Sequence, residues 1–105
     1  MKIQFNTDSN ITESKELRDS FIALISEGLS RFSDQITRLE VHLSDENSLK
    51  KGLNDKRCLL EARLEGRQPI AVKNQANNLE QAVVGAVDKL KVSLDTKIGR
   101  LKFDN

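Results

Sequence analysis

Basic and hydroxyl side chains in the second half of this 105-residue chain have the spacing of a ligand-binding surface. Four of them recur at intervals of four, three and four positions, which would align them along one side of a helix: Lys89, Ser93, Thr96 and Arg100. Lys97 and Lys102 lie near this line, and Lys91 lies on the opposite border of the apolar stripe. Such side chains are the usual donors to nucleic-acid phosphates. An ordinary solvated helix face is the alternative, because Asp88 and Asp95 are interspersed among them.

More basic residues lie between residues 57 and 73, on two predicted strands and the turn that joins them: Arg57, Arg63, Arg67 and Lys73. Glu61 and Glu65 lie among them and could pair with them. The net charge of the chain is only +1, but the first 55 residues carry three more acidic than basic side chains, whereas the remaining residues carry four more basic than acidic ones. This asymmetry favours an anionic partner for the second half.

Candidate catalytic and metal-binding residues are few. His42 is the single histidine and Cys58 the single cysteine, which excludes a disulfide, a Cys/His zinc site and a histidine-pair metal site within one chain. Strand alternation places His42 outward beside Glu40 and Arg38, and it places Cys58 inward, where a free cysteine packs as a small hydrophobic residue. The sequence contains no glycine-rich phosphate loop and no His-Glu-x-x-His or Cys-x-x-Cys motif. We therefore expect neither an enzyme nor a bound cofactor.

Four strands are predicted from the alternation of apolar and polar residues: at 2–6, 37–44 and 56–65, and around Ile70 and Val72. Pro69 at the start of the last strand has no backbone N–H to donate, which favours a position at the edge of the sheet. The stretch 45–55 lacks apolar periodicity and is predicted to be a surface loop.

Two amphipathic helices are predicted, at residues 13–32 and 78–102. The first has three candidate N-terminal caps: Asn10 paired with Glu13, Thr12, and Ser14. The second is predicted to begin with the capping pair Asn77 and Glu80. Gly85 is predicted to lie in the interior of the second helix, where glycine destabilises a helix by about 1 kcal/mol relative to alanine. Close packing of another element against the helix at this position would explain why a glycine occurs there.

The order β-α-β-β-β-α permits a parallel crossover between the first two strands and predicts an antiparallel meander for the other three. Because every predicted strand has one apolar face, both helices must pack on the same side of the sheet. We therefore expect an α+β two-layer sandwich with a four-stranded mixed sheet and both helices on one face, forming a single domain over residues 1–105. Neither a transmembrane helix nor a signal peptide is predicted, so we expect a cytosolic protein.

Aromatic stacking is not expected to contribute to nucleic-acid binding. The chain has no Trp or Tyr, and three of its four phenylalanines fit buried stripes, namely Phe5, Phe21 and Phe32, while the fourth, Phe103, follows the second helix. RNA binding would then depend on shape and phosphate contacts rather than on a platform for unpaired bases.

The order of elements and several stretches resemble the ribosome hibernation-promoting factor and ribosome-associated translation inhibitor family, in its short single-domain form. The stretches are Asn10-Ile11-Thr12, Leu39-Glu40-Val41-His42-Leu43, residues 55–63, Gly66-Arg67-Gln68-Pro69-Ile70-Ala71-Val72, and residues 79–90. The resemblance implies binding to the small ribosomal subunit and its RNA, which holds ribosomes inactive under stress. It also implies a fold like that of double-stranded-RNA-binding domains, with no reaction and no cofactor. The family's long form has a C-terminal dimerisation domain; the chain ends at Asn105 without one, so we expect a monomer or weak dimer.

The first helix departs from the family pattern, because its few basic residues are balanced by acidic ones. The RNA contacts are therefore assigned to the second half of the chain: Lys89, Lys91, Arg100, Lys97, Arg57, Arg63, Arg67 and Lys73. The main alternative is a protein interaction module of the same fold, which would use the exposed sheet face or the Pro69 edge strand and have no nucleic-acid role. An enzyme centred on His42 or Cys58 is the least favoured interpretation.

Overall fold

The second, third and fourth strands form a meander that is joined to the first strand by a helical crossover. A computed structural model describes residues 1–8, 11, 14–45 and 55–99. Its main elements are β1 (Lys2–Thr7), α1 (Lys15–Gly28), β2 (Ile36–Asp45), β3 (Lys56–Leu64), β4 (Ile70–Ala76) and α2 (Leu79–Leu94). A short 3-10 helix (Ser30–Phe32) follows α1, and a π-helical segment (Asp95–Gly99) follows α2.

The strands form one mixed sheet in the order β1-β2-β3-β4. β1 pairs with β2 in parallel, and β3 is antiparallel to both β2 and β4. This confirms the predicted fold class, and it confirms that the strand after Pro69 lies at an edge. Of the loop predicted at 45–55, Asp45 is the last residue of β2, and residues 46–54 lie outside the described residues.

The core lies between the two helices and the inner face of the sheet. Both layers contribute fully buried side chains, among them Ile25, Leu29, Leu39, Leu60, Leu90 and Leu94. Cys58 is also fully buried, as its inward register predicts, and burial raises the pKa of its thiol to about 12. The cysteine is therefore a protonated core residue at neutral pH.

A register shift in β2 explains why its burial pattern departs from simple alternation. The shift falls between Ile36, which pairs with Leu64, and Arg38, which pairs with Arg63. The intervening Thr37 is exposed and donates a hydrogen bond from Oγ1 to the carbonyl oxygen of Arg63 at 2.9 Å. The extra residue lets Ile36 face the core although it is out of phase with the other inward residues of the strand.

The structure selects one of the predicted caps for α1 and corrects its length. Ser14 is the N-cap, and its Oγ accepts a hydrogen bond from the backbone N–H of Leu17 at 3.1 Å. The α-helix ends at Gly28 rather than near residue 32, because the last predicted turn is 3-10 helical. Phe32 is still buried, so the apolar stripe continues although the helix type changes.

The predicted start of α2 is wrong by one residue. Asn78, not Asn77, is the N-cap: its backbone is extended, and its side-chain Oδ1 accepts a hydrogen bond from Gln81 N–H at 2.8 Å. The α-helical part ends at Leu94, short of the predicted boundary, and the π-helical segment continues to Gly99. None of the helices in the described part of the chain is both long and apolar enough to cross a membrane.

Candidate nucleic-acid interface

Four of the predicted RNA-binding residues come together where α2 lies along the edge strand β4. We call this set the basic seam: Arg67, Lys73, Lys89 and Lys97. Two hydrogen bonds join the helix to the strand and its preceding turn. Lys89 Nζ donates to the carbonyl oxygen of Lys73 at 3.0 Å, and Arg67 Nη1 donates to the carbonyl oxygen of Lys97 at 3.3 Å. All four side chains are exposed.

A glycine allows α2 to lie close to β4 beside the basic seam. An added Cβ on Gly85 would be only 2.6 Å from Cγ of Asn74, a residue of β4. The space is occupied instead by the Asn74 amide, whose Nδ2 donates to the carbonyl oxygens of Gln81 and Ala82, each at 3.3 Å. Gly85 therefore permits close packing, the role that its cost in a helix interior suggested.

The acidic residues of α2 and of the π-helical segment lie away from the basic seam. Glu80 and Asp88 line the space between the two helices, and Asp95 forms an ion pair with Arg31 after α1. Within the described ranges, no seam residue has a carboxylate within the 4.0 Å that defines an ion pair. The seam is therefore a row of exposed cations that no acid of the described ranges neutralises.

The solvent face of the sheet is different, because its cations are paired with glutamates. Oε2 of Glu40 accepts from Arg38 Nη2 at 3.1 Å and from Arg63 Nε at 3.2 Å. Arg63 Nη2 also lies 3.1 Å from Oε1 of Glu61. The hydrogen bond from Arg63 and the neighbouring charge of Arg38 lower the pKa of Glu40 below its ordinary value. Arg63 is thus neutralised and does not join the basic seam.

His42 lies on the same solvent face, in the outward register that its alternation predicts. Its Nε2 is 3.8 Å from Oε1 of Glu40, and the side chain is 44% exposed. Arg57 is half-buried on β3, where it pairs with Ser44 of β2 and Gln75 of β4. Both residues lie away from α2, because that helix packs against the other face of the sheet.

The remaining predicted residues do not join the seam. Lys91 lies on the α1 side of α2, where it lines a cavity with Glu27 and Asp88. Arg100 lies outside the described residues. The described residues include no cluster of three or more His, Cys, Asp or Glu side chains that could hold a metal ion.

Sequence reasoning missed the part that Arg38 plays on the sheet face. Its outward register beside Glu40 and His42 was visible, but its competition with Arg63 for the same carboxylate oxygen depends on the pairing of β2 with β3. Since Arg38 and Arg63 are register partners, the glutamate lies between two cations.

The fold is shared with proteins of known structure. The N-terminal domain of protein Y from Thermus thermophilus is 23% identical, covers 91% of this chain and 98% of its own, and superimposes with a TM-score of 0.70. A ribosomal subunit interface protein from Coxiella burnetii is 20% identical, covers 94% of this chain and 99% of its own, and gives a TM-score of 0.71. A comparison with curated proteins gave no match.

These two structures share the α+β fold and the β-α-β-β-β-α order of this chain. The family model described as sigma 54 modulation protein / S30EA ribosomal protein matches residues 7–102, nearly the whole chain. The chain therefore belongs to the sigma 54 modulation protein / S30EA ribosomal protein family.

Proposed function

We propose that this protein is a translation inhibitor that binds the small ribosomal subunit and holds ribosomes inactive under stress. Membership of the S30EA ribosomal protein family makes the ribosome the expected partner and the cytoplasm the expected location. The observation that carries the proposal is the basic seam, whose four exposed cations form no ion pair with a carboxylate of the described residues.

The seam has the chemistry that an RNA backbone requires. Lys73 and Lys89 lie at one position along the seam, and Arg67 and Lys97 lie at another. Lys89 of α2 and Lys97 of the π-helical segment are eight positions apart, about two helical turns. This arrangement contacts several phosphates without reading bases, in keeping with the shape-based recognition of double-stranded RNA. We assign the ribosomal RNA contacts to these four residues.

Binding through the seam predicts a strong dependence on salt. Four phosphate contacts would lower the affinity on the order of a hundredfold between about 50 and 200 mM salt. The test is sedimentation of the protein with purified small ribosomal subunits at both salt concentrations, together with translation in a reconstituted system. Failure to sediment with the subunits at low salt would contradict the proposal. Salt-tolerant binding would favour a protein interaction module with no nucleic-acid role.

A further inference from the structure

A groove runs between α1 and α2 on the helical face, and the proposed function does not use it. Two adjoining cavities, of about 350 and 650 Å³, form the groove and share Ser20 and Leu24 in their walls. The first cavity extends to Leu79 at the start of α2, and the second extends to Lys91. The distance along α2 between these two residues is about 18 Å.

The helices touch within the second cavity, which Gly28 and Val87 both line. An added Cβ on Gly28 would be 2.8 Å from Cγ1 of Val87, so the last residue of α1 lies directly against the middle of α2. Toward their N-termini the helices leave room for the cavity between Leu17 and Leu79. The space between the helices is therefore narrowest at Gly28 and Val87.

Apolar side chains line much of this groove although it faces solvent. Val84 is 40% exposed, and Leu17, Leu24 and Leu79 are only half-buried. Val92, 66% exposed, lies one residue beyond Lys91 along α2. Exposed valines on a surface helix leave apolar area available to a second molecule.

The charges around the groove select the partner. Among the described residues that line the groove, Glu27, Glu80 and Asp88 are acidic, and Lys91 is the one basic residue. In the described part of the chain, none of these three carboxylates forms an ion pair. An acidic rim repels RNA phosphates and attracts cations, so the groove suits a partner opposite in charge to that of the basic seam.

We propose that this groove binds a positively charged amphipathic helix of a partner protein. A groove of about 18 Å accommodates roughly three helical turns, whose apolar side chains at helical spacing would cover Leu24 and Val84. Lysine or arginine residues beside that apolar stripe would lie near Glu27 and Asp88. Because the basic seam is on the opposite flank of α2, RNA and the helix can be bound at the same time.

The test measures binding of a synthetic peptide to the intact chain by fluorescence anisotropy. The probe has about 15 residues, with leucine along one helical face and lysine along the other; a matched peptide carries glutamate in place of lysine. We expect the lysine peptide to bind at least about tenfold more tightly than the glutamate peptide. The Glu27→Lys, Asp88→Lys double variant should weaken lysine-peptide binding about tenfold or more.

Three controls separate this proposal from general electrostatics and from the ribosomal function. Asp34→Lys, an exposed substitution in the turn before β2, should leave peptide affinity unchanged. Val84→Gln, at an exposed position, should lower the affinity for the lysine peptide several-fold without changing the thermal unfolding temperature. The double variant should still sediment with small ribosomal subunits at least as well as the wild type.

Equal affinity for the two peptides, or full binding by the double variant, would overturn the proposal. Concentration-dependent dimerisation of the wild type that Val84→Gln abolishes would also overturn the proposal, because a second copy of the chain would then occupy the groove. Loss of ribosome sedimentation in the double variant would also overturn it, because the groove would then belong to the ribosomal interface. Failure of the wild type to bind ribosomes contradicts only the proposed function.

Discussion

Lys89 Nζ donates a hydrogen bond to the backbone carbonyl oxygen of Lys73, at 3.0 Å. The bond ties the Lys89 side chain of α2 to the backbone of the edge strand, so the Lys89 ammonium group lies at the border of the sheet beside Lys73. The basic seam is thus a property of the packed helix and strand, and it does not exist on either element alone.

Reversing the charge of these two lysines should weaken binding to the ribosome. We expect the Lys73→Glu, Lys89→Glu variant to lose on the order of a hundredfold in affinity for small subunits at low salt, and to show a shallower salt dependence. Sedimentation over a salt series measures both quantities. Lys2→Glu, an exposed substitution at the far edge of the sheet, is the matched control and should bind as the wild type does. An equal loss of ribosome affinity in both variants would contradict a role of the basic seam in ribosome binding.

Glu40 should stabilise the fold at neutral pH but not in acid. Hydrogen bonding by Arg63 and the charge of Arg38 hold its pKa below the ordinary value of 4.5, so its contribution is complete above that value and is lost as the pH falls through the lowered pKa. Glu40→Gln should therefore reduce the free energy of unfolding at pH 7, and the difference from wild type should shrink toward zero in strong acid. Urea denaturation at several pH values measures this. Glu65→Gln, in the exposed turn after β3, should show no such pH-dependent difference.

The thiol of Cys58 should be inert in the folded protein. Because burial raises its pKa to about 12, thiolate is scarce at pH 8 and the sulfur is inaccessible to reagent. A chromogenic disulfide reagent should react with the native chain only as it unfolds, and with one thiol per chain in denaturant. The unfolded thiol ionises near its ordinary value of 9.0, so the free energy of unfolding should fall as the pH rises between the two values. Rapid reaction of the native chain at pH 8 would contradict this description of the core.

Gly85→Ala should destabilise the protein although alanine is the better helix former. The new Cβ would displace the Asn74 side chain and break its two hydrogen bonds to α2. The loss of these two bonds outweighs the gain of about 1 kcal/mol in helix propensity. We expect a net loss of about 1 kcal/mol in the free energy of unfolding, measured by urea denaturation.

A double-mutant cycle that combines Gly85→Ala with Asn74→Ala tests whether the Asn74 side chain causes that loss of stability. In an Asn74→Ala background the obstructing amide is absent, and Gly85→Ala should then stabilise the protein. The same destabilisation in both backgrounds would show that the glycine is required for another reason.

Much of the fold could be predicted because local patterns and global packing agree. The alternation through Leu39, Val41 and Leu43 defines both a strand and its buried face, and the stripe from Ala82 to Leu94 defines the inner side of α2. Element boundaries were less predictable. Asn77 and Asn78 are identical neighbours, and which of them caps α2 is decided by where the chain leaves β4.

The candidate site was predictable in composition but not in arrangement. The basic residues could be read from the sequence, as could the pairing of Arg63 with Glu61 two positions before it, but the second partner of Arg63 is Glu40, 23 positions earlier in the chain. Likewise, the separation of Lys89 from Lys91 onto opposite flanks depends on where β4 and α1 pack. These contacts join distant parts of the chain, so no local pattern records them.

The outermost strand β4 has a consequence for behaviour at high concentration. An unprotected strand at the border of a sheet can recruit a strand from another molecule and so start polymerisation. Here Pro69 precedes the strand and Lys89 places an ammonium group against its backbone. Both features oppose intermolecular sheet growth, so the protein can accumulate without forming fibrils from this border.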